Sequence, residues 1–353
     1  MKKLVFGSGF DYILLGGIIF LVIFGNIALK SLAPSLFPVN YLYILLAALA
    51  FIILVQIDFE ILSLFSKHFY VLSIILLLTP LIIGQVTRGA IRWIPIGALT
   101  IQPAEIVRPF LMIFFANYLT EQKPDVRRLI KALILLSLPI FLVLIQPSLG
   151  VAILILIGFT GVLIATQIKK KYLLFGLMVI LFLLPIAWKI MAPYQKARIE
   201  TFLNPGKDPF GAGYNSLQSM ISVGSGKLLG RGLGKGVQTQ LAFLPERHTD
   251  FIFASIAEEF GFLGASFILL GQFIVFWRIA KTIENPRSFT ARAFSSGIFL
   301  SLFVQTSVHV GMNMGLLPIT GVPLPLVSGG GSSLLATSIA LAMICTCSKQ
   351  IRT

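Results

Sequence analysis

A carboxylate, Asp250, ends the polar stretch LPERHTD at residues 244–250, and an apolar run begins at Phe251. A carboxylate in that place has two uses. As the residue before a helix it accepts backbone N–H groups as an N-cap. At a boundary between water and membrane it can also serve as a general base toward a hydroxyl on a lipid-borne substrate, given a partly desolvated site. His248 lies two residues before it, but a Ser-His-Asp hydrolase also needs a nucleophile, and none is identifiable.

Other residues could assist. Arg88 and Arg92 are four apart, so on a helix they share a face. Trp93 and the Ile-Pro-Ile that follows suit a segment lying in a membrane interface. Such arginines touch lipid phosphates or hold a phosphorylated ligand. Residues 192–250 carry Lys196, Arg198, Lys227, Arg231, Lys235 and Arg247 and the glycine-rich run SVGSGKLLGRGLGKG. Glycines let a backbone approach a ligand, and N–H groups with lysines can hold phosphate. Neither P-loop nor dinucleotide-binding spacing is present, and a flexible turn-rich loop is the plainer reading. Glu105, Glu258 and Glu259 fall inside apolar segments, where ionisable groups are paired or functional. Glu105 and Arg108 are spaced i,i+3 and can neutralise each other. Glu258 lies about two helical turns beyond Asp250, roughly on one face. His309 and Asn313, i,i+4, read as interhelical hydrogen-bonding groups rather than metal ligands.

The elements that must position these residues are membrane spans. The chain has 353 residues, of which 57% are hydrophobic and 12% charged, about half the charge of a soluble domain. Spans are expected at 12–29, 41–57, 69–87, 101–120, two within 132–168 split by QPSLG at 146–150, 172–191, 251–280, and two within 293–348 split by a turn-rich segment. The fold expected is an all-α polytopic bundle of ten transmembrane helices, a single domain over 1–353, with a large extracytoplasmic loop at 192–250 between helices seven and eight. Ten spans put both termini on one side. With the termini inside, Lys67, Arg127, Lys131, Lys169, Lys171, Lys281, Arg287 and others fall in short cytoplasmic segments, as basic loops do. The net charge of +15 is thereby explained without nucleic acid. Cys345 and Cys347, two apart in an apolar stretch, cannot pair on a helix and read as core filler.

The motifs GAIRWIPIGALTIQPAE, IQPSLG, YQKARIETFLNPGKDPFGAGYNSLQSM, LPERHTDFIFASIAEEFGFLG and GMNMGLLPITGVPLPLVSGGGSS, in this order over nearly the whole chain, resemble those of the SEDS family (shape, elongation, division and sporulation). GVQTQLAFLPERHTDFIF is nearer the elongation type than the division type. The resemblance implies a peptidoglycan glycosyltransferase of the bacterial cytoplasmic membrane acting on lipid II, a disaccharide-peptide on undecaprenyl pyrophosphate. It implies Asp250 as the essential aspartate. Arg88, Arg92, Glu105, Lys196, Arg198, Arg247, His248, Glu258 and Ser328 are the substrate-binding candidates. A divalent cation, magnesium or manganese, could be held by Asp250; no organic cofactor is expected. The partners implied are a class B penicillin-binding protein and other membrane proteins of an elongation complex. Four positions depart from the family: Ser148 and Gly329 stand where Asp and Tyr are usual, Arg108 where Lys is, and His309 where Asn is. The alternative function class is a lipid II flippase, for which Glu105, Glu258 and Glu259 would line a polar path.

Overall fold

The structure, a computed structural model, describes residues 10–348 except 84, 88–89, 98, 123–124, 167, 170, 173, 175, 177, 179–181, 183–184, 186–187, 190 and 205–212. Arg88 lies outside the described residues, and the expected span at 172–191 lies only partly within them.

The other expected spans are helical. They are α1 (Tyr12–Leu32), α2 (Phe37–Val55), α4 (Ser66–Ile83), α5 (Pro103–Thr120), α6 (Val126–Ile145), α7 (Leu149–Ala165), α11 (Ile252–Glu284), α12 (Phe289–Asn313) and α13 (Gly331–Cys345). A short α3 (Phe59–Leu64) precedes α4. Among the described residues six helices are long and apolar enough to cross a membrane: α1, α2 with the 3-10 turn before it, α4, α6, α11 and α12. The chain is a multi-pass membrane protein. The starts of these helices follow local chemistry. Asp11 caps α1 through Leu14 N at 2.9 Å, Asp125 caps α6 through Arg128 N at 2.8 Å, and Pro103 opens α5, where its missing N–H costs nothing.

Exposed Ile53, Ile75, Ile134, Phe267 and Phe273 mark faces that hydrocarbon covers, so packing between helices relies on close backbone approach. Helices α7 and α12 meet through glycine. A Cβ on Gly297 would stand 2.9 Å from Gly158 O, and one on Gly161 2.9 Å from Gly297 Cα. Cys345 and Cys347 are free, and Cys347 is buried.

Two expectations are corrected. Residues 85–101 form a small antiparallel sheet in the order β1 (Gln85–Thr87), β2 (Ala90–Ile96) and β3 (Leu99–Ile101). Arg92 is therefore on a strand rather than a helix. Arg92 sits on β2, where alternation sets it and Ile94 on one face and Trp93 on the other. Gly97, with φ +61, makes the turn into β3. Residues 192–250 are also more ordered than a flexible loop. They hold α8 (Pro193–Leu203), α9 (Tyr214–Ser225) and α10 (Val237–Gln240).

The glycine-rich run completes a broken helix. At about 1.5 Å per residue, the 33 residues of α11 would reach beyond the roughly 30 Å hydrocarbon core. The helix breaks at Gly261, whose φ of +68 and ψ of −163 are non-helical. The carbonyls of Glu258 and Glu259 accept from Arg231 N (2.9 Å) and Gly232 N (3.0 Å), while Phe262 N and Leu263 N donate to Lys227 O (2.8 Å) and Leu228 O (3.2 Å). Within a membrane protein a broken helix needs such partners. The glycines are needed because the two backbones touch: a Cβ on Gly261 would stand 2.5 Å from Leu228 O.

Candidate active site

The polar stretch 246–250 is pinned residue by residue before α11 begins. His248 O accepts from Gly329 N at 2.9 Å, Thr249 O from Ser328 Oγ at 2.9 Å, and Asp250 O from Asn313 Nδ2 at 3.0 Å. Three consecutive carbonyls are thus held by the segment before α13 and by the end of α12. Arg247 O accepts from Ser255 Oγ at 3.0 Å. The N-cap of α11 is Phe251, with no side-chain cap bond, so Asp250 is not the cap. The reason is Asn313: its Oδ1 accepts from Ala254 N at 3.0 Å, supplying from another helix the acceptor that an N-cap side chain usually gives.

Asp250, half-buried, lines a cavity of about 330 Å³ shared with Arg92, Trp93, Gln102, Glu105, Ser148, Gln195, Arg198, Thr320, Gly321, Ser332 and Ser333. Five segments meet there: the β-sheet with the start of α5, the α6–α7 turn, α8, the loop before α11 and the loop before α13. Gly321, at φ +69, lies against the carboxylate; a Cβ there would be 3.5 Å from Asp250 Oδ2. The floor carries Glu105, buried and ion-paired with Arg108 at 2.9 Å, and Arg108 Nη1 donates to Gln305 Oε1 at 2.7 Å. Arg198 also borders a second cavity of about 280 Å³ with Asn215, Ser216 and Pro318.

The cavity therefore gathers Asp250, Arg92, Glu105 and Arg198 of the sequence candidates, and Ser148. Among the described candidates it does not take in Lys196, Arg247, His248, Glu258 or Ser328. Lys196 points its Nζ to Lys189 O (3.3 Å), and Arg247 Nε donates to Leu32 O (3.0 Å) at the end of α1. Ser328 accepts from Leu324 N while holding Thr249 O. Glu258, fully buried, accepts from Gln238 N (2.9 Å) and Thr239 N (3.0 Å). Its neighbour Glu259 accepts from Ser31 Oγ (2.7 Å), Gly234 N (3.2 Å) and Gln240 Nε2 (2.9 Å). Glu259 fastens the glycine-rich run to α11, and Glu258 fastens α10, which follows that run. Gly329 fits closely, since a Cβ there would be 2.9 Å from Leu29 Cδ1 and 3.1 Å from His248 O.

Gln102 and Asn313 had not been singled out as site residues. Gln102 Nε2 donates to Ser148 Oγ at 3.2 Å, and Gln102 N to Ser332 Oγ at 2.8 Å. It was visible only as part of IQPAE.

The family of cell cycle proteins comprising FtsW, RodA and SpoVE matches residues 7–353. The chain belongs to that family. FtsW/RodA/SpoVE-family relatives include the peptidoglycan glycosyltransferase MrdB of Escherichia coli, 35% identical over 83% of this chain and 80% of its own length. Another is the probable peptidoglycan glycosyltransferase FtsW of Buchnera aphidicola, 37% identical over 81% and 77%. A chain of a solved peptidoglycan synthase complex, in work on coordinating polymerization and crosslinking, superposes with a TM-score of 0.83 at 29% identity over 96% and 97%. The rod shape determining protein RodA of Thermus thermophilus does so at 0.71 and 27% over 96% of both chains.

Among the described residues of this family member, no three His, Cys, Asp or Glu side chains gather to hold a metal ion. The cavity offers Asp250 and an ion-paired Glu105. That set is sparse for a resident magnesium or manganese, which takes about six ligands.

Proposed function

We propose that this chain is a peptidoglycan glycosyltransferase that polymerises lipid II at the outer face of the bacterial cytoplasmic membrane during elongation, with Asp250 as its general base. The GlcNAc 4-hydroxyl of one molecule attacks the anomeric carbon of the other's MurNAc. The new C–O bond forms as the bond to the lipid pyrophosphate breaks, with inversion. Asp250 takes the hydroxyl proton, and the pyrophosphate leaves with the bonding electrons. One displacement needs one base and no enzyme nucleophile, by analogy with inverting glycosidases. Arg92 and Arg198 meet the negative charge that grows on the leaving group.

The observation that carries this reading is a carboxylate of fixed backbone sharing one cavity with two arginines. The family membership and the names of the relatives agree with it. In this reading the termini are cytoplasmic, and the partner is a class B penicillin-binding protein within an elongation complex; the likeness to a synthase complex supports that choice. A cation, if used, enters on the substrate pyrophosphate. No observation favours a flippase: Glu259 holds the glycine-rich run, Glu258 holds α10, and Glu105 is paired with Arg108.

The purified chain in detergent, given lipid II with and without the partner, should yield glycan polymer. A protein that yields none under either condition would contradict the reading.

A further inference from the structure

We propose that Asn313 is the positioning residue for Asp250, acting from the neighbouring span through both of its amide atoms. This rests on the reading of Asp250 as general base. Asn313 is fully buried at the end of α12. Its Nδ2 donates to Asp250 O at 3.0 Å and to His309 O at 2.8 Å, and its Oδ1 accepts from Ala254 N at 3.0 Å. The carboxamide therefore bridges Asp250, two residues before α11, and the first turn of that helix. Its own carbonyl accepts from Ser219 Oγ at 2.8 Å, which ties it to α9.

One turn earlier, His309 works on the opposite wall. Its Nδ1 lies 2.8 Å from Val322 O, next to Gly321, the residue that faces the Asp250 carboxylate. One face of α12 thus sets the backbone on both sides of the base. Neither side chain lines the cavity, so neither is placed to touch substrate. A base must stand within hydrogen-bond reach of the hydroxyl it deprotonates, and a misplacement of about 1 Å can cost ~10²-fold in rate. Asn313 holds the carbonyl of Asp250 as Ser328 and Gly329 hold those of Thr249 and His248.

The test separates the two halves of the carboxamide. Asn313→Asp keeps the acceptor for Ala254 N and nearly the same volume, but cannot donate to Asp250 O when ionised. Asn313→Ala removes both. We expect each variant to lower kcat for lipid II polymerisation ~10-fold or more, with KM within about two-fold in the protein that remains folded; Asn313→Asp also melts lower, because it sets a buried carboxylate against the carbonyls of Asp250 and His309. His309→Asn, which restores the family's usual residue and can still donate to Val322 O, should retain activity. An Asn313→Asp protein that is folded and keeps wild-type kcat would overturn the proposal, as would a rise in KM at constant kcat, which would make Asn313 a substrate contact. If Asp250→Ala is inactive while both Asn313 variants are normal, only the positioning role fails. If Asp250→Ala itself turns over normally, the reading of the base fails.

Discussion

Glu258 accepts the backbone N–H of Thr239 at 3.0 Å, from inside a membrane-spanning helix to a short helix, α10, of the segment before it. With Gln238 N at 2.9 Å on its other oxygen, this carboxylate is an N-terminal anchor for α10, where negative charge is favoured. Three residues on, Gly261 breaks α11 and lets it open to the glycine-rich run.

Glu258→Ala should therefore act on stability and only weakly on substrate use. It orphans two backbone donors next to a buried site, a cost of about 1–3 kcal/mol. Thermal unfolding should fall clearly, with KM for lipid II within about two-fold of wild type in the protein that remains folded. A large rise in KM without a change in melting would return Glu258 to the substrate site.

Gly261→Ala should destabilise for two reasons. Its φ of +68 with ψ of −163 is nearly glycine-only, a cost of order 1–3 kcal/mol, and its Cβ would meet Leu228 O at 2.5 Å. A lower melting temperature and faster proteolysis after Lys227 or Arg231 are the expected readouts. Gly224→Ala, where nothing lies within 4 Å of the added carbon, should melt like wild type.

The spans were legible because apolar runs bounded by charges and Pro or Gly mark helices directly, and the Glu105–Arg108 ion pair followed from i,i+3 spacing. The small sheet at 85–101 was not legible: a Trp, one proline and short apolar runs fit an interfacial helix as well as strands. Counting two turns from Asp250 puts Glu258 roughly on its face, but does not show that Gln238 N and Thr239 N dock on that carboxylate. Asp250 was expected to cap its own helix because sequence shows only neighbours. The acceptor comes instead from Asn313, 63 residues away, and such contacts between spans leave no local signal. Of the site, Asp250, Arg92, Glu105 and Arg198 came from chemistry joined to the family resemblance; the cavity that unites them required the fold.

Arg92→Ala and Arg198→Ala should weaken lipid II use while the protein still inserts and folds. A hydrogen bond to a charged group is worth roughly 1.5–3 kcal/mol, so kcat/KM should fall about ten-fold or more for each. Arg→Lys should also be harmful where the contact is bidentate. Normal polymerisation by both alanine variants would leave these arginines as interfacial anchors.

Ser148→Asp should raise polymerisation or its response to magnesium. Ser148 is buried, bonded to Gln102, and lines the same cavity as Asp250. A carboxylate there would raise the proton affinity of acids nearby or add an oxygen for a cation brought in by substrate. Identical activity across a magnesium series for both proteins would show that position 148 only shapes the turn between α6 and α7.

The most direct test of the central claim is lipid II polymerisation by purified Asp250→Asn. The substitution keeps the shape of the side chain and leaves the Asn313–Ala254 cap in place, so the protein should fold and bind lipid II as wild type does. It removes the base, and the rate should fall at least ~10²-fold, with no glycan strands at times when wild type has consumed its substrate. Strands formed at near-wild-type rate by folded Asp250→Asn would contradict the assignment of Asp250 as the catalytic carboxylate.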